Sequence, residues 1–339
     1  HTTLVALGFA GGLLHVLNHA FFKCQLFYAA GAVYQSTHTV DMEKLGGLAR
    51  LMPWTSLSFL LGGIAISALP PLNGFTSEFL IYSGLVSGEP VGTWALAALA
   101  GAAALLAFVG AVSALSITRA FGVVFLGSPR EPHGEHPPAE VNAWMLAPML
   151  VHTVGVVLLG VAPVLGFMLV REPTGLALAA MPAPATNVLA GMADSLGRLG
   201  LISGALALTI GCLIWLRSRG TPAQRHVTWG CGYTAPNSRM QYTGSGFSSD
   251  FSARFRGVMV MLKRQKAPTG YFPTDAYLIT DCVDAVERRL YSVINHGDNS
   301  ATDLSGKLRE DDPRIAFAGG LIAIAVIAGL VVWSTGPLS

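Results

Sequence analysis

The sequence predicts an all-α protein: a polytopic membrane helix bundle of about six transmembrane helices, one of them broken, with a polar segment carrying an amphipathic helix. Three observations carry this expectation. Hydrophobic residues make up 52% of the 339-residue chain and charged residues only 12%, about half the share usual in a soluble domain. Apolar stretches of about 20 residues, the length a helix needs to cross a hydrocarbon core, recur along the chain. Between residues 218 and 314 the pattern changes, with thirteen of the twenty-one Lys and Arg and ten of the nineteen Asp and Glu.

The first apolar stretch covers about residues 3–34, and the chain opens on its threshold. No initiator methionine or basic region precedes it, so no signal peptide is visible and the chain reads as the back part of a longer protein. The second stretch, 53–86, is interrupted by ALPPLNG. Pro70 and Pro71 have no N–H to donate and Gly74 adds freedom. A helix broken at that depth needs protein or a water-filled cavity to satisfy its freed backbone. Stretches at 92–126, 142–170, 198–216 and 315–335 complete the six. The domains expected are 1–127, 128–217 with additional spans, the polar segment 218–314, and a last span in 315–339.

The connections are polar and proline-rich, as in GSPREPHGEHPPAE. PHGEH sets two histidines beside an acid there, a weak basis for a metal site in a flexible loop. Lys44, Arg50, Arg130 and the basic 217–314 segment fall in loops that share one side of a six-span chain, against Arg171 and Arg198 on the other. That places the polar segment in the cytoplasm and the C-terminus outside. Within the segment, Ile279, Cys282, Val283, Val286, Leu290, Val293 and Ile294 follow helical spacing, which predicts an amphipathic helix over about 274–295. Cys24, Cys212, Cys231 and Cys282 lie far apart with no C-x-x-C pair and read as small hydrophobic residues in a reducing setting.

HVLNHAFFK, His15 to Lys23, puts two histidines and a lysine at strict four-residue spacing inside the first stretch. Residues at i, i+4 and i+8 drift slowly around a helix, so His15, His19 and Lys23 share a face over a rise of about 12 Å, with Asn18 beside them. Ionisable groups at membrane depth cost a few kcal/mol or more each, so they normally face a bundle interior and mark an ion or proton path. Histidine relays protons near neutral pH. A satisfied core histidine explains one such residue better than three groups on one stripe. H-x-x-x-H is also zinc spacing, but no carboxylate completes a set nearby and Lys23 would repel a cation. No metal and no cofactor are therefore expected in this chain. Glu78, in LPPLNGFTSEFLIYSG, stands just past the helix break in an apolar half-helix, where it either takes part in the path or reaches headgroups. Arg119 and His152 are weaker candidates, each placed near an interface.

HVLNHAFFKCQLFYAAGAV, followed by HTVDMEKLGGLARLMPWTS and LGGIAISALPPLNGFTSEFLIYSGL, closely resembles the second half of the antiporter-like membrane subunits of respiratory complex I and its relatives. These are proton-translocating chains, similar also to subunits of multi-subunit Na⁺/H⁺ antiporters. The resemblance is dense over residues 1 to about 127. WGCGYTAPNSRMQYTGSGFSSDFSARFRGVM is similar to a stretch of the hydrogenase-4 component B and formate hydrogenlyase subunit 3 branch. The resemblance implies that His15 and His19 line a central hydrophilic axis, that Lys23 is the central lysine which gains and loses a proton, and that Glu78 is the terminal charged residue on the broken helix. Several relatives carry lysine at that last position. It also implies that a first five-helix repeat, with its own glutamate and lysine, is missing here.

The function this implies is proton translocation coupled to redox chemistry in partner subunits of a hydrogenase-4, formate hydrogenlyase or complex I-like assembly. The partners expected are other membrane subunits, a hydrophilic redox arm and the lipid bilayer, with protons as the transported ion and no nucleic acid. The location expected is a bacterial or archaeal plasma membrane. A non-pumping scaffold and a subunit of a cation/proton antiporter are the alternatives.

Overall fold

A computed structural model describes residues 2–87, 92–130, 137–179, 184–220, 240–255, 260–270 and 275–283, with isolated positions between 232 and 238. PHGEH, the expected last span at 315–335 and residues 284–295 of the expected amphipathic helix lie outside the described residues. Among the described residues there are eight α-helices and one two-stranded sheet. The chain divides into two units, His1–Ser248 and Ser249–Ser339.

α1 runs unbroken from Thr2 to Thr37, because the apolar run contains no proline to interrupt it. Its 36 residues extend about 54 Å, well beyond a ~30 Å hydrocarbon core. The second apolar stretch forms two helices, α2 (Pro53–Ile66) and α3 (Asn73–Leu85), separated at the ALPPLNG sequence as expected. α2 opens on Pro53, whose missing N–H costs nothing at a first helical position. The Glu140 carboxylate accepts the free N–H groups of Trp54 (2.8 Å) and Thr55 (3.3 Å), placing a negative charge at the positive end of α2. α4 covers Thr93–Val124.

The fourth stretch departs from expectation. Instead of one span over 142–170 it forms α5 (Ala143–Val161) and α6 (Pro163–Ala177), with Ala162 between them. Pro163 has no N–H to continue α5, so the chain stops and restarts there. α5 is capped by Asn142, whose side chain accepts the N–H of Met145 at 3.1 Å. α7 runs from Pro184 to Ser218 and so begins well before the expected span at 198. α1, the α4 stretch, α5 and α7 are each long and apolar enough to cross a membrane. The fold is thus a membrane helix bundle.

α1 is the axis of the bundle, in contact with α2, α3, α5, α6 and α7. Leu14, Leu80, Phe167, Met192 and Leu196 join α1, α3, α6 and α7 in one core cluster. Phe22, Ala65, Leu72 and Val156 join α1, the α2–α3 break and α5 in another. The break sits tightly against its neighbours: a methyl group on Gly74 would overlap the Ala65 carbonyl oxygen, and one on Gly160 would overlap the Pro71 carbonyl oxygen. Glycine is needed at both positions for that approach.

At one end of the bundle several loops meet. Gly47 N–H donates to Leu126 O at 2.8 Å and Ala49 N–H to Phe125 O at 2.9 Å. The buried Arg130 guanidinium donates to the carbonyls of Leu45, Val123 (2.9 Å) and Tyr242 (2.6 Å), placing a cation at the carbonyl end of α4. Gln241 bonds both the N–H and the carbonyl of Ser128, and Gly244 N–H donates to Glu43 Oε1 at 2.8 Å. The first loop, the loop after α4 and the start of the polar segment therefore share one end, as the charge distribution requires. α8 (Gly244–Arg254) begins there.

In the second unit, β1 (Val260–Lys266) pairs antiparallel with β2 (Tyr277–Val283), with Lys266 opposite Tyr277 and Val260 opposite Val283. This corrects the amphipathic helix expected over 274–295, at least for residues 277–283. YLITDCV is rich in β-branched and aromatic residues, which favour a strand, and seven residues are too few for helical spacing to outweigh a paired neighbour.

Gly74→Ala and Gly160→Ala are each expected to destabilise the purified protein by about 1–3 kcal/mol, the usual cost of overpacking. Gly101→Ala, where a methyl group meets nothing within 4 Å, serves as the control. Thermal unfolding in detergent checks this: melting temperatures should fall for the first two and stay level or rise for the third.

Candidate functional site

The residues of the expected stripe are divided between two sides of α1. Each step of four residues turns the helix about 40° past a full revolution, so by Lys23 the direction has moved about 80° from His15. His15 consequently points into the bundle, whereas His19 is exposed and Lys23 half-buried. The His15 and His19 rings lie 6.3 Å apart between centroids, and the Phe22 ring stands edge-on to both, at 6.1 and 5.3 Å. Lys23 Nζ lies 5.5 Å from the Phe27 ring centroid. The one ion pair among the described residues is Lys266 with Asp275, so Lys23 has no carboxylate partner there.

His15 Nδ1 is 3.1 Å from Ser77 Oγ on α3. Ser77 donates its single hydroxyl proton to Gly74 O at 3.0 Å and accepts from Asn18 Nδ2 at 3.2 Å. A hydroxyl has one proton, so the third contact requires His15 to carry its proton on Nδ1, leaving Nε2 free to accept one. Asn18 is fully buried and donates also to Asn73 O at 2.8 Å. Asn73 returns the bond, its Nδ2 lying 3.3 Å from Asn18 Oδ1, and Thr76 Oγ1 donates to Asn73 O at 2.7 Å. Asn18, a minor candidate by sequence, is the side chain that ties α1 to the broken helix.

Glu78 follows Ser77 but points elsewhere. It is half-buried on the α4 side of α3, in a cleft of about 350 Å³ lined by Ser67, Phe75, Tyr82, Ala107 and Ala111. It does not touch His15, His19 or Lys23; the link between them runs through the adjacent residue, Ser77. Arg119 lies away from this group, in the last turns of α4 beside Gly244, with its buried Nε unpartnered among the described residues. His152, on α5, donates from Nδ1 to Pro148 O at 2.8 Å and stands between the Phe21 (5.7 Å) and Tyr28 (5.2 Å) rings. Among the described residues no three His, Cys, Asp or Glu side chains come together as a metal set, and Cys24 and Cys212 are free thiols.

Sequence reasoning missed a second buried polar cluster. Gln25 Nε2 donates to Ser58 O (2.7 Å) and Thr153 Oγ1 (2.8 Å), and Ser58 Oγ lies 2.8 Å from Thr153 Oγ1. The signal was present: Gln25 follows Asn18 by seven residues, two helical turns, and so lies on the same buried stripe.

Residues 2–117 match the family described as NADH:quinone oxidoreductase/Mrp antiporter, transmembrane. These residues are a membrane domain of that family. Beyond it, the chain is 37% identical to hydrogenase-4 component B of Escherichia coli (strain K12) over 283 residues, covering 78% of this chain and 40% of the relative. It is 35% identical to formate hydrogenlyase subunit 3 of the same organism over 261 residues, covering 77% and 41%. The chain thus spans about two fifths of the length of these curated relatives. Its fold is similar to a chain of the membrane-bound sulfane sulfur reductase, an archaeal respiratory membrane complex, with a TM-score of 0.56 at 18% identity over 95% of this chain and 48% of that one. The protein is a multi-pass membrane protein with an antiporter-like domain, similar in sequence to hydrogenase-4 component B and formate hydrogenlyase subunit 3.

Asn18→Leu removes the donors held by Asn73 O and Ser77 and strands their buried acceptors. It is expected to cost about 2–4 kcal/mol, a loss of one or two buried hydrogen bonds with their desolvation. Chemical or thermal unfolding of the purified chain checks this, with Asn18→Asp, which sets acceptor oxygens against Asn73 O and buries a charge, expected to lose at least as much as Asn18→Leu.

Proposed function

We propose that this chain translocates protons in a membrane complex whose redox chemistry takes place in partner subunits. The observation that carries this reading is the Lys23–His19–His15 row, joined through the Ser77 hydroxyl to the half-helix that bears Glu78. Such a row places exchangeable protons at intervals short enough for side-chain and water-mediated transfer across the middle of the bilayer. His15, proton-bearing at Nδ1 and open at Nε2, can accept on one nitrogen and release from the other, as a relay requires. A displacement of one pKa unit is about 1.4 kcal/mol, so a modest change in neighbouring charge moves a proton along such a row.

The surface of α1 around the row supports assembly with further protein. His19 is exposed together with Val16 (68%) and Phe27 (67%). An ionisable face turned to lipid is costly, so another membrane segment or subunit covers it in the working assembly. The similarity to hydrogenase-4 component B and formate hydrogenlyase subunit 3 supports a hydrogenase-type assembly with a hydrophilic redox arm, in a bacterial or archaeal plasma membrane. Cofactors belong to those partners in this reading. The loop end bearing Lys44, Arg50 and Arg130 faces the cytoplasm.

Lys23→Ala and Glu78→Ala, made in the assembled complex, are each expected to slow proton translocation roughly tenfold or more, the effect of about 1.4 kcal/mol on a rate-limiting barrier. Translocation is read as acidification of sealed membrane vesicles during turnover, normalised to electron transfer. Full translocation in both variants overturns the proposal and leaves a scaffold.

A further inference from the structure

A second line of buried polar groups leaves the row on the far side of α1 and reaches the loop end of the bundle. It begins outside with Glu140, which is half-exposed, and passes to Thr55, whose hydroxyl donates to Glu140 Oε1 at 2.6 Å. Ser58 follows three residues along α2, so its side chain stands about 5–6 Å from that of Thr55 on the same helix face. Thr153 on α5 and Gln25 on α1 complete it. Thr55 and Gln25 are wholly buried, Ser58 is 1% exposed and Thr153 9%.

The protons in this cluster can be assigned. Thr153 Oγ1 donates to Met149 O at 2.9 Å, so the 2.8 Å contact between the two hydroxyls has Ser58 as donor. The Gln25 amide then gives its protons to Ser58 O and Thr153 Oγ1. Every one of these donors is committed, yet Gln25 Oε1 is buried and has no donor among the described residues. Asn73 Oδ1, at the helix break, is in the same position. Stranded acceptors of this kind are costly, and at polar sites buried water supplies the missing donor. On α1, between Asn18 and Gln25, which lie about 10 Å apart along the helix, stands Phe22, 1% exposed and packed with Ala65, Leu72 and Val156 at the break.

We propose that Glu140, Thr55, Ser58, Thr153 and Gln25 line a water-fed track that enters the bundle from its loop end and stops at Phe22. Water hydrogen-bonds to Gln25 Oε1 at the inner end, and the Glu140 carboxylate exchanges protons with solvent at the outer end. Phe22 keeps this water apart from the Asn18–Asn73 cluster, so the track is a one-sided access path and not an open pore. Its role in supplying or draining the His15–Lys23 row rests on the proposed function; its existence as a hydrated track does not.

The test uses the assembled complex in sealed vesicles, with Cys24, Cys212, Cys231 and Cys282 replaced and single cysteines introduced as Thr55→Cys, Ser58→Cys, Thr153→Cys or Leu57→Cys. Leu57 lies at the same depth of α2 on its outer, apolar face, 43% exposed. The probe is aqueous silver ion, which is nearly water-sized, applied from either side, with unreacted thiol then counted by alkylation after denaturation. From the side of the loop end, the three track cysteines are expected to react at least roughly tenfold faster than Leu57→Cys, a difference of about 1.4 kcal/mol in access. From the other side no such difference is expected. Track cysteines that react no faster than Leu57→Cys from the loop side overturn the track. Thr55 and Thr153 lie on different helices, so failure of one variant to assemble leaves the other to decide. Fast labelling with translocation intact in Lys23→Ala and Glu78→Ala would retain the track and reject the translocation reading.

Discussion

The structure depends on how a helix broken inside a membrane is satisfied. At the α2–α3 break the backbone gives up its own ladder where no water is freely at hand, and each unpaired group there costs several kcal/mol. Asn18 supplies the repair. Its amide reaches Asn73 O and the hydroxyls of Thr76 and Ser77, and Asn73 answers with its own amide. α1 must therefore lie against the break in one rotation and one register. That single rotation decides which of the other α1 side chains enter the bundle and which face outward.

The rotation explains why one stripe has two environments. With Asn18 fixed inward, His15 lies one turn earlier, on the bundle side of the stripe, and reaches Ser77. Further along, the slow drift of i, i+4 spacing carries His19 and Lys23 out toward a neighbouring surface. The same rotation puts Gln25, two turns beyond Asn18, back into the interior against α2 and α5. α1 thus turns His15, Asn18 and Gln25 toward the bundle and His19 and Lys23 away from it. The two amides hold the helices together, and under the proposed function the outward groups are the ones that meet other protein.

The helical class, the broken helix and the grouping of loops at one end were all legible in the sequence, because each rests on composition or on residues whose backbone chemistry is unambiguous. Pro70, Pro71 and Gly74 mark a break whatever surrounds them. Pro163 carried a similar signal, but a proline in an apolar run is compatible with an unbroken helix as well as a restart: Pro148 stays inside α5, whereas α5 stops before Pro163. The strand at 277–283 was misread because a short run of apolar residues fits both periods and its partner lies in a separate stretch of sequence. For the site, spacing identified His15, His19 and Lys23 but not their division between two faces, which depends on what α1 packs against. Gln25, Ser58 and Thr153 come from three distant stretches, and only their meeting makes them a cluster.

Glu78 and the Ser77 hydroxyl that meets the row on α1 lie on different faces of α3, and this separation has a physical consequence. Ser77 turns toward His15 while the next residue turns about 100° away into the cleft beside α4. The carboxylate is thereby kept from pairing directly with Lys23. In the proposed translocation, groups that do not pair exchange protons through bridging water rather than by direct contact. Phe22, buried and edge-on to both histidines, stands on α1 between them and Gln25. Under the proposed function, proton movement through such an arrangement is governed by when neighbouring groups change charge, and that timing is what a coupled membrane complex controls.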